Sequence, residues 1–374
     1  MDNLSLNETE VKQNEMKKYY TKAALRLIAL WAGWIVFQIV WGILISVLSA
    51  FPIFEKYMGE INMASTIVID VLLFVLMYFV MLKNEKSIPE KKKMPFGKWF
   101  LILLCGYFFA IMGNIVGTVV NGALLMPFGY NFNNINQSME IMKSMSNLSG
   151  FIFELLTVGI MGPVMEELLF RKMFIDNYSK YGMGAAILAS AVSFGLFHGN
   201  FSQFFMATAL GILFGYVYSL TGNIMYTIAM HVTINVYNVI TGFATLAFYD
   251  EEFNEKLNNI VSEFMTNQDL EAYLNAINNL IENEPTAVIG MFVTSAVSII
   301  EVLLILVCLI LVICNIRKFL RFRKTLYLGE KGAKTYAMLN VGMIICYVFA
   351  GFLLLLFYGS RILESPMFQD LIKI

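Results

Sequence analysis

The sequence predicts an all-α, polytopic transmembrane helical bundle of about nine spans, with its N-terminus inside. Three observations carry that prediction. Hydrophobic residues fill 58% of the 374 positions and charged residues only 14%, whereas a soluble domain carries roughly 25% charged residues. The mean hydropathy is +0.68, and the apolar residues gather into runs near the roughly 20 residues that cross a bilayer core. Lysine and arginine crowd alternate connections between those runs, as the positive-inside rule requires.

In chain order the candidate spans are residues 24–50, 63–82, 99–126, 149–178, 183–200, 203–220, 223–248, 287–315 and 336–359. The N-terminal segment carries Lys12, Lys17, Lys18, Lys22 and Arg26, which places it inside. The apolar run after it is too long for a signal peptide and has no A-x-A-like site, so no cleavage is expected. The C-terminal DLIKI carries no lipidation box. Connection 83–98 holds Lys83, Lys86, Lys91, Lys92, Lys93 and Lys98 and is inside; 127–148 is Asn-rich, nearly uncharged and outside. Arg171, Lys172 and Lys180 put 171–181 inside, and the basic stretch 316–334 is inside as well. The fourth run is interrupted at Gly162-Pro163, where a helix restarts or bends because proline lacks the N–H and favours a first turn. Four regions result: 1–98, the tail and first two spans; 99–248, the core; 249–286, an acidic outside loop; and 287–374, two final spans.

The acidic loop has its own pattern. Between residues 249 and 285 nine acids stand against Lys256. Phe253, Leu257, Ile260, Val261 and Phe264, then Leu270, Tyr273, Leu274, Ile277, Leu280 and Ile281, recur at helical spacing. Two amphipathic helices broken near Thr266-Asn267 are expected. Their acids are repelled by an anionic leaflet, so the apolar face packs on protein. It does so either as a lid over the outer mouth or against the outer ends of the flanking spans.

A net charge of −1 argues against a nucleic-acid partner. Cys105, Cys308, Cys314 and Cys346 all lie in apolar runs without metal-type spacing, so they read as reduced core residues.

The chemistry concentrates in one block. Glu166 and Glu167 end the run MGPVMEE, Arg171 follows, and the two histidines of the chain, His198 and His231, lie in later apolar runs. Ionisable groups in hydrocarbon face one another or a wet cavity, and they mark functional sites by default. Glu166 stands 16 residues before the turn at Gly182 and His198 stands 16 after it. Both are therefore roughly 24 Å from that turn. His231 and Asn235, 9 and 13 residues beyond Gly222, fall roughly 14 and 20 Å from theirs, somewhat lower unless the turn is offset. They share one helix face at i and i+4. A carboxylate beside a histidine deprotonates water, and a second histidine with an amide donates to an oxyanion. Arg171 is placed to pair with Glu167, which leaves Glu166 as the base. Glu166, His198 and His231 also form a three-ligand zinc set with an open position, although no HExxH occurs.

Each residue has a structural reading too. A histidine in a span also serves as an interhelical hydrogen-bonder, a Glu-Glu-Arg group as an interfacial ion pair, and Asn235 as a bridge. Asp70, Glu154 and Glu301 show that carboxylates recur in the apolar runs. The clustering of both histidines, both glutamates and Asn235 within one block favours a site.

Glu166-Glu167-x-x-x-Arg171, Phe194-x-x-x-His198 and His231-x-x-x-Asn235 resemble, in order, the three motifs of the CPBP family. That family holds the type II CAAX prenyl endopeptidases and the bacterial Abi, or bacteriocin-immunity, proteins. The resemblance covers about 149–245. It implies an intramembrane endopeptidase in which Glu166 and His198 activate water, His231 and Asn235 stabilise the oxyanion, and Glu167, Arg171 and Phe194 support them. It implies no cofactor in the glutamate-dependent form that is favoured here, and zinc in the alternative. The Asn- and Lys-rich loops suggest a low-GC bacterium and its plasma membrane. There a peptide or membrane-protein substrate within the bilayer is expected rather than a prenylated one. The alternative function is a non-catalytic immunity or scaffold protein of the same fold; a channel or transporter comes third.

Overall fold

The computed structural model describes residues 2–51, 58–79, 88, 93–129, 148–247, 251–317, 329–365 and 367–368. Most of the Asn-rich connection 127–148, most of the lysines of 83–98 and the basic residues 318–328 lie outside them, as does the Asp70 side chain. Among the described residues every regular element is helical. The long elements are α1 (Asp2–Ser49), α2 (Met58–Met77), α3 (Phe96–Leu125), α4 (Leu148–Tyr181), α5 (Met183–Phe197), α6 (Phe201–Thr221) and α7 (Met225–Ala247). They continue with α8 (Glu251–Asn267), α9 (Leu270–Asn283), α10 (Pro285–Cys314), the short α11 (Ala333–Met338) and α12 (Val341–Leu363).

The chain is a multi-pass integral membrane protein. Six described helices are long and apolar enough to cross a bilayer: Thr9–Ser49, Phe96–Phe128, α4, α6, α10 and α12. Among the described residues the expected count of nine is not confirmed. In the second expected span the described apolar helix is Ile67–Met77, residues 80–82 lying outside the described ones, and α5 has 15 residues, short of the roughly 20 that a span needs. In α7 the polar His231, Asn235 and Asn238 dilute the hydropathy of a 23-residue helix.

The chain divides into two compact units, with boundaries inside α4 and α7. One comprises Met1–Asn136, Ile160–Ile234 and Cys308–Ile374. Its main core joins Tyr20, Leu27 and Leu30 of α1 to Phe170, Phe174 and Tyr178 of α4, and to the alanine face of α5. Small residues let backbones close up, which is how helices associate in lipid. A Cβ on Gly113 of α3 would stand 2.6 Å from the Met206 Cα of α6. Gly222 closes α6 in the left-handed region at φ 63, its N–H bonded to Tyr218 O at 2.7 Å, as a glycine C-cap does. This confirms the turn read from Thr221-Gly222-Asn223.

α4 is not uniform. Pro163 has no N–H to return to the preceding turn, and the helix widens to a π register over Thr157–Met161 before resuming at Gly162. A second π stretch, Leu168–Ile175, carries Arg171. The Ser190 hydroxyl of α5 donates to Phe170 O within it at 2.6 Å, partnering one carbonyl of the widened stretch.

The second unit, Gln137–Gly159 with Asn235–Val307, contains the acidic helices. The expected pair is present and breaks between Asn267 and Leu270, where Gln268 takes φ 54 and Asp269 caps α9 through Ala272 N–H at 3.0 Å. Phe264 and Tyr273 pack across it as a tilted pair with centroids 4.8 Å apart. Lys256 pairs with Glu252 and Glu284, and those hydrogen bonds raise its pKa. Of the cysteines, Cys105, Cys308 and Cys346 are buried as expected, whereas Cys314 is exposed at the end of α10 and is not a core residue.

Candidate active site

Adjacent residues on a helix point about 100° apart, so Glu166 and Glu167 meet different surroundings. Glu167 is fully buried, while Glu166 keeps 23% of its side chain exposed. Arg171, one turn on and also fully buried, sets Nη1 3.1 Å from Glu167 Oε1. The pairing expected from the spacing is present. Its guanidinium stacks 4.4 Å from the ring centre of Phe194 and 5.3 Å from that of Phe214, a favourable contact for a desolvated cation.

His231 of α7 joins this pair. Its Nδ1 lies 3.0 Å from Glu167 Oε1 and its Nε2 lies 3.5 Å from Glu166 Oε2. A carboxylate oxygen accepts, so Nδ1 carries a proton and donates it to Glu167, and Nε2 is turned to Glu166. Hairpin arithmetic sets His231 below the glutamates. Their contact shows that the Gly222 turn is offset from the Gly182 turn.

His198 caps the C-terminus of α5. Its Nδ1 lies 2.9 Å from Phe194 O. A carbonyl only accepts, so this nitrogen donates, and in a neutral ring the Nε2 lone pair is free to act as a base. The next residues hold its backbone in place. Gly199 turns at φ 66, and Asn200 caps α6 by accepting from Gln203 N–H at 2.9 Å while its amide donates to His198 O at 2.9 Å. Phe194 meets both histidines edge-on, with centroids 5.1 Å from His198 and 5.8 Å from His231.

Glu166, Glu167, Arg171 and His231 thus form one chain of polar contacts, and the Phe194 ring touches both His198 and His231. Among the described residues His198 makes no ion pair with either glutamate. Asn235, four residues along α7 from His231, falls in the second unit, where its amide donates to Val158 O at 3.0 Å, within the first π stretch. Among the described residues no three His, Cys, Asp or Glu side chains form a group that could hold a metal ion. Glu154 and Glu301 are half-buried.

Two contributors escape the sequence reading. Asn200-x-x-Gln203 before an apolar run is a legible helix-start signal. Phe214, which covers Arg171 and sits 5.4 Å from His231, has no signal beyond apolar periodicity.

Residues 148–237 match the family model described as "Type II CAAX prenyl endopeptidase Rce1-like". The matched stretch contains Glu166, Glu167, Arg171, Phe194, His198, His231 and Asn235. The chain is also similar to a protein of Bacillus subtilis (strain 168) described as "Putative membrane peptidase YdiL", at 24% identity over 199 residues, covering 51% of this chain and 78% of that one. No solved structure matches it.

Proposed function

We propose that this chain, which belongs through residues 148–237 to the CPBP family of the type II CAAX prenyl endopeptidases, is an intramembrane endopeptidase that cleaves a peptide or membrane-protein substrate with water activated by Glu166 and His198. One observation carries the reading: Glu167 is fully buried and occupied by Arg171 and His231, whereas Glu166 stays partly accessible, its carboxylate facing His231 Nε2. A carboxylate and the free Nε2 of His198 together orient a water and take its proton as it attacks the scissile carbonyl. Glu166 then delivers that proton to the departing amine. Two products and an unchanged enzyme result.

His231 and Asn235 are assigned to the oxyanion. The Nδ1–H of His231 is committed to Glu167, so donation from Nε2 requires the ring to carry both protons. Glu167 and Arg171 then act on His231, fixing its orientation, as a buried second partner does for a catalytic imidazole. We favour a metal-free course, in which Glu166 and His198 act on the water directly. A bacterial peptide or membrane protein is the substrate class we favour. The test is to reconstitute the protein with single-span peptides and find the cleavage products by mass spectrometry. Products from the wild type that are absent with Glu166→Gln support the reading, and identical product patterns overturn it.

A further inference from the structure

The inner end of α1 bears an open groove of about 580 Å³ lined by Lys17, Lys18, Thr21, Lys22, Leu25, Arg26 and Ala29. Lys12, further out, is taken by Glu330 at 2.9 Å. Among the described residues Lys17, Lys18 and Lys22 have no carboxylate at ion-pair distance, and all three are exposed. Arg26 gives Nη1 to Asn177 of α4 at 2.7 Å, and a guanidinium has further donors to offer.

Below the cations the same helix face turns apolar and stays exposed. Lys18, Lys22, Leu25, Ala29, Ala32, Val36, Ile39 and Ile43 follow at steps of three and four, with Leu25 46%, Val36 59% and Ile43 61% exposed. From Leu25 to Val36 this face runs roughly 17 Å, about half of a hydrocarbon core roughly 30 Å thick. A cationic ledge over one leaflet's length of bare apolar helix fits a single class of occupant.

The geometry points to a binding site for an anionic phospholipid on α1, its phosphate held by Lys18, Lys22 and Arg26 and its acyl chains lying along Leu25 to Val36. A free phosphate would use the cations and leave the apolar face bare, and a zwitterionic lipid would bring its own ammonium against them. Through Arg26 and Asn177 the occupant would bear on α4.

Purified full-length protein is offered an equimolar mixture of phosphatidylglycerol and phosphatidylcholine, and the retained lipids are counted by native mass spectrometry. Each lysine near the membrane surface contributes about a five-fold preference and the pair about thirty-fold. Phosphatidylglycerol should therefore be retained over phosphatidylcholine, with the preference falling about five-fold in Lys18→Gln or Lys22→Gln and about thirty-fold in the double variant. Lys12→Gln, whose charge Glu330 already neutralises, should leave it unchanged. Neither inorganic phosphate nor the water-soluble glycerophosphoglycerol should displace the lipid. Equal retention of both lipids, displacement by either soluble phosphate, or an equal loss with Lys12→Gln would each overturn the site.

Discussion

Glu167 and His231, 64 residues apart in sequence, share a buried contact of 3.0 Å between Oε1 and Nδ1. That contact ties α7 to the second glutamate of α4 and leaves the first glutamate to the other ring nitrogen. It gives the two adjacent carboxylates different surroundings. Arg171 makes the arrangement tolerable in an apolar interior, because a buried charge is costly unless it is paired.

Removing Arg171 should therefore do more than remove a contact. Arg171→Ala leaves buried Glu167 with only His231 as a partner, and breaking a buried pair costs roughly 3–5 kcal/mol. Chemical denaturation in detergent should show a loss of that order. Arg171→Lys should fall between, since lysine keeps the charge but not the planar fork over Phe194. An Arg171→Ala protein as stable as wild type would contradict the pairing.

Glu167→Gln should separate orientation from base chemistry. Glutamine still accepts from His231 Nδ1, so activity should drop without vanishing, whereas removing the base should abolish it. Single-turnover rates of the two variants on one peptide check the order. Equal rates would remove the distinction between the glutamates.

Asn200→Ala should cost about 1 kcal/mol, the usual loss on deleting a helix N-cap. It should also lower the turnover rate, because the lost amide no longer holds His198 O. His198→Ala should be more severe in activity and milder in stability. The reverse ordering, by thermal unfolding and peptide cleavage, would mean that the cap does not position His198.

Charge in an apolar run is conspicuous, and this is why Glu166, Glu167, Arg171, His198 and His231 are legible in the sequence. The i,i+4 spacing also foretells the Arg171–Glu167 pair. What the sequence does not carry is longitudinal offset. Residue counting puts His231 lower than the glutamates, because it takes both hairpin turns to one depth. The widening of α4 is half legible: Pro163 marks the first π stretch, but nothing in Leu168–Ile175 marks the second. Phe214 looks like any lipid-facing or core aromatic until the fold sets it over Arg171. The nine-span count is not confirmed among the described residues, where α5 is short and polar side chains dilute α7.

The break between α8 and α9 offers a local test. Gln268 adopts φ 54, which costs a non-glycine residue roughly 1–3 kcal/mol. Gln268→Gly should relieve part of that, slowing hydrogen exchange in residues 251–283. Faster exchange would contradict the left-handed turn.

Metal removal probes the same site from another side. Exhaustive dialysis against a strong chelator should leave peptide cleavage intact. Loss with rescue by stoichiometric zinc would move His231 and Glu166 into a metal shell.

The most direct measurement is single-turnover cleavage of a single-span peptide by purified Glu166→Gln beside wild type, with folding of both checked by thermal unfolding. Glutamine cannot accept the water's proton, so the variant should unfold at the wild-type temperature and form no product above background. More than a few per cent of the wild-type rate from a folded Glu166→Gln protein would contradict the assignment of Glu166 as the base.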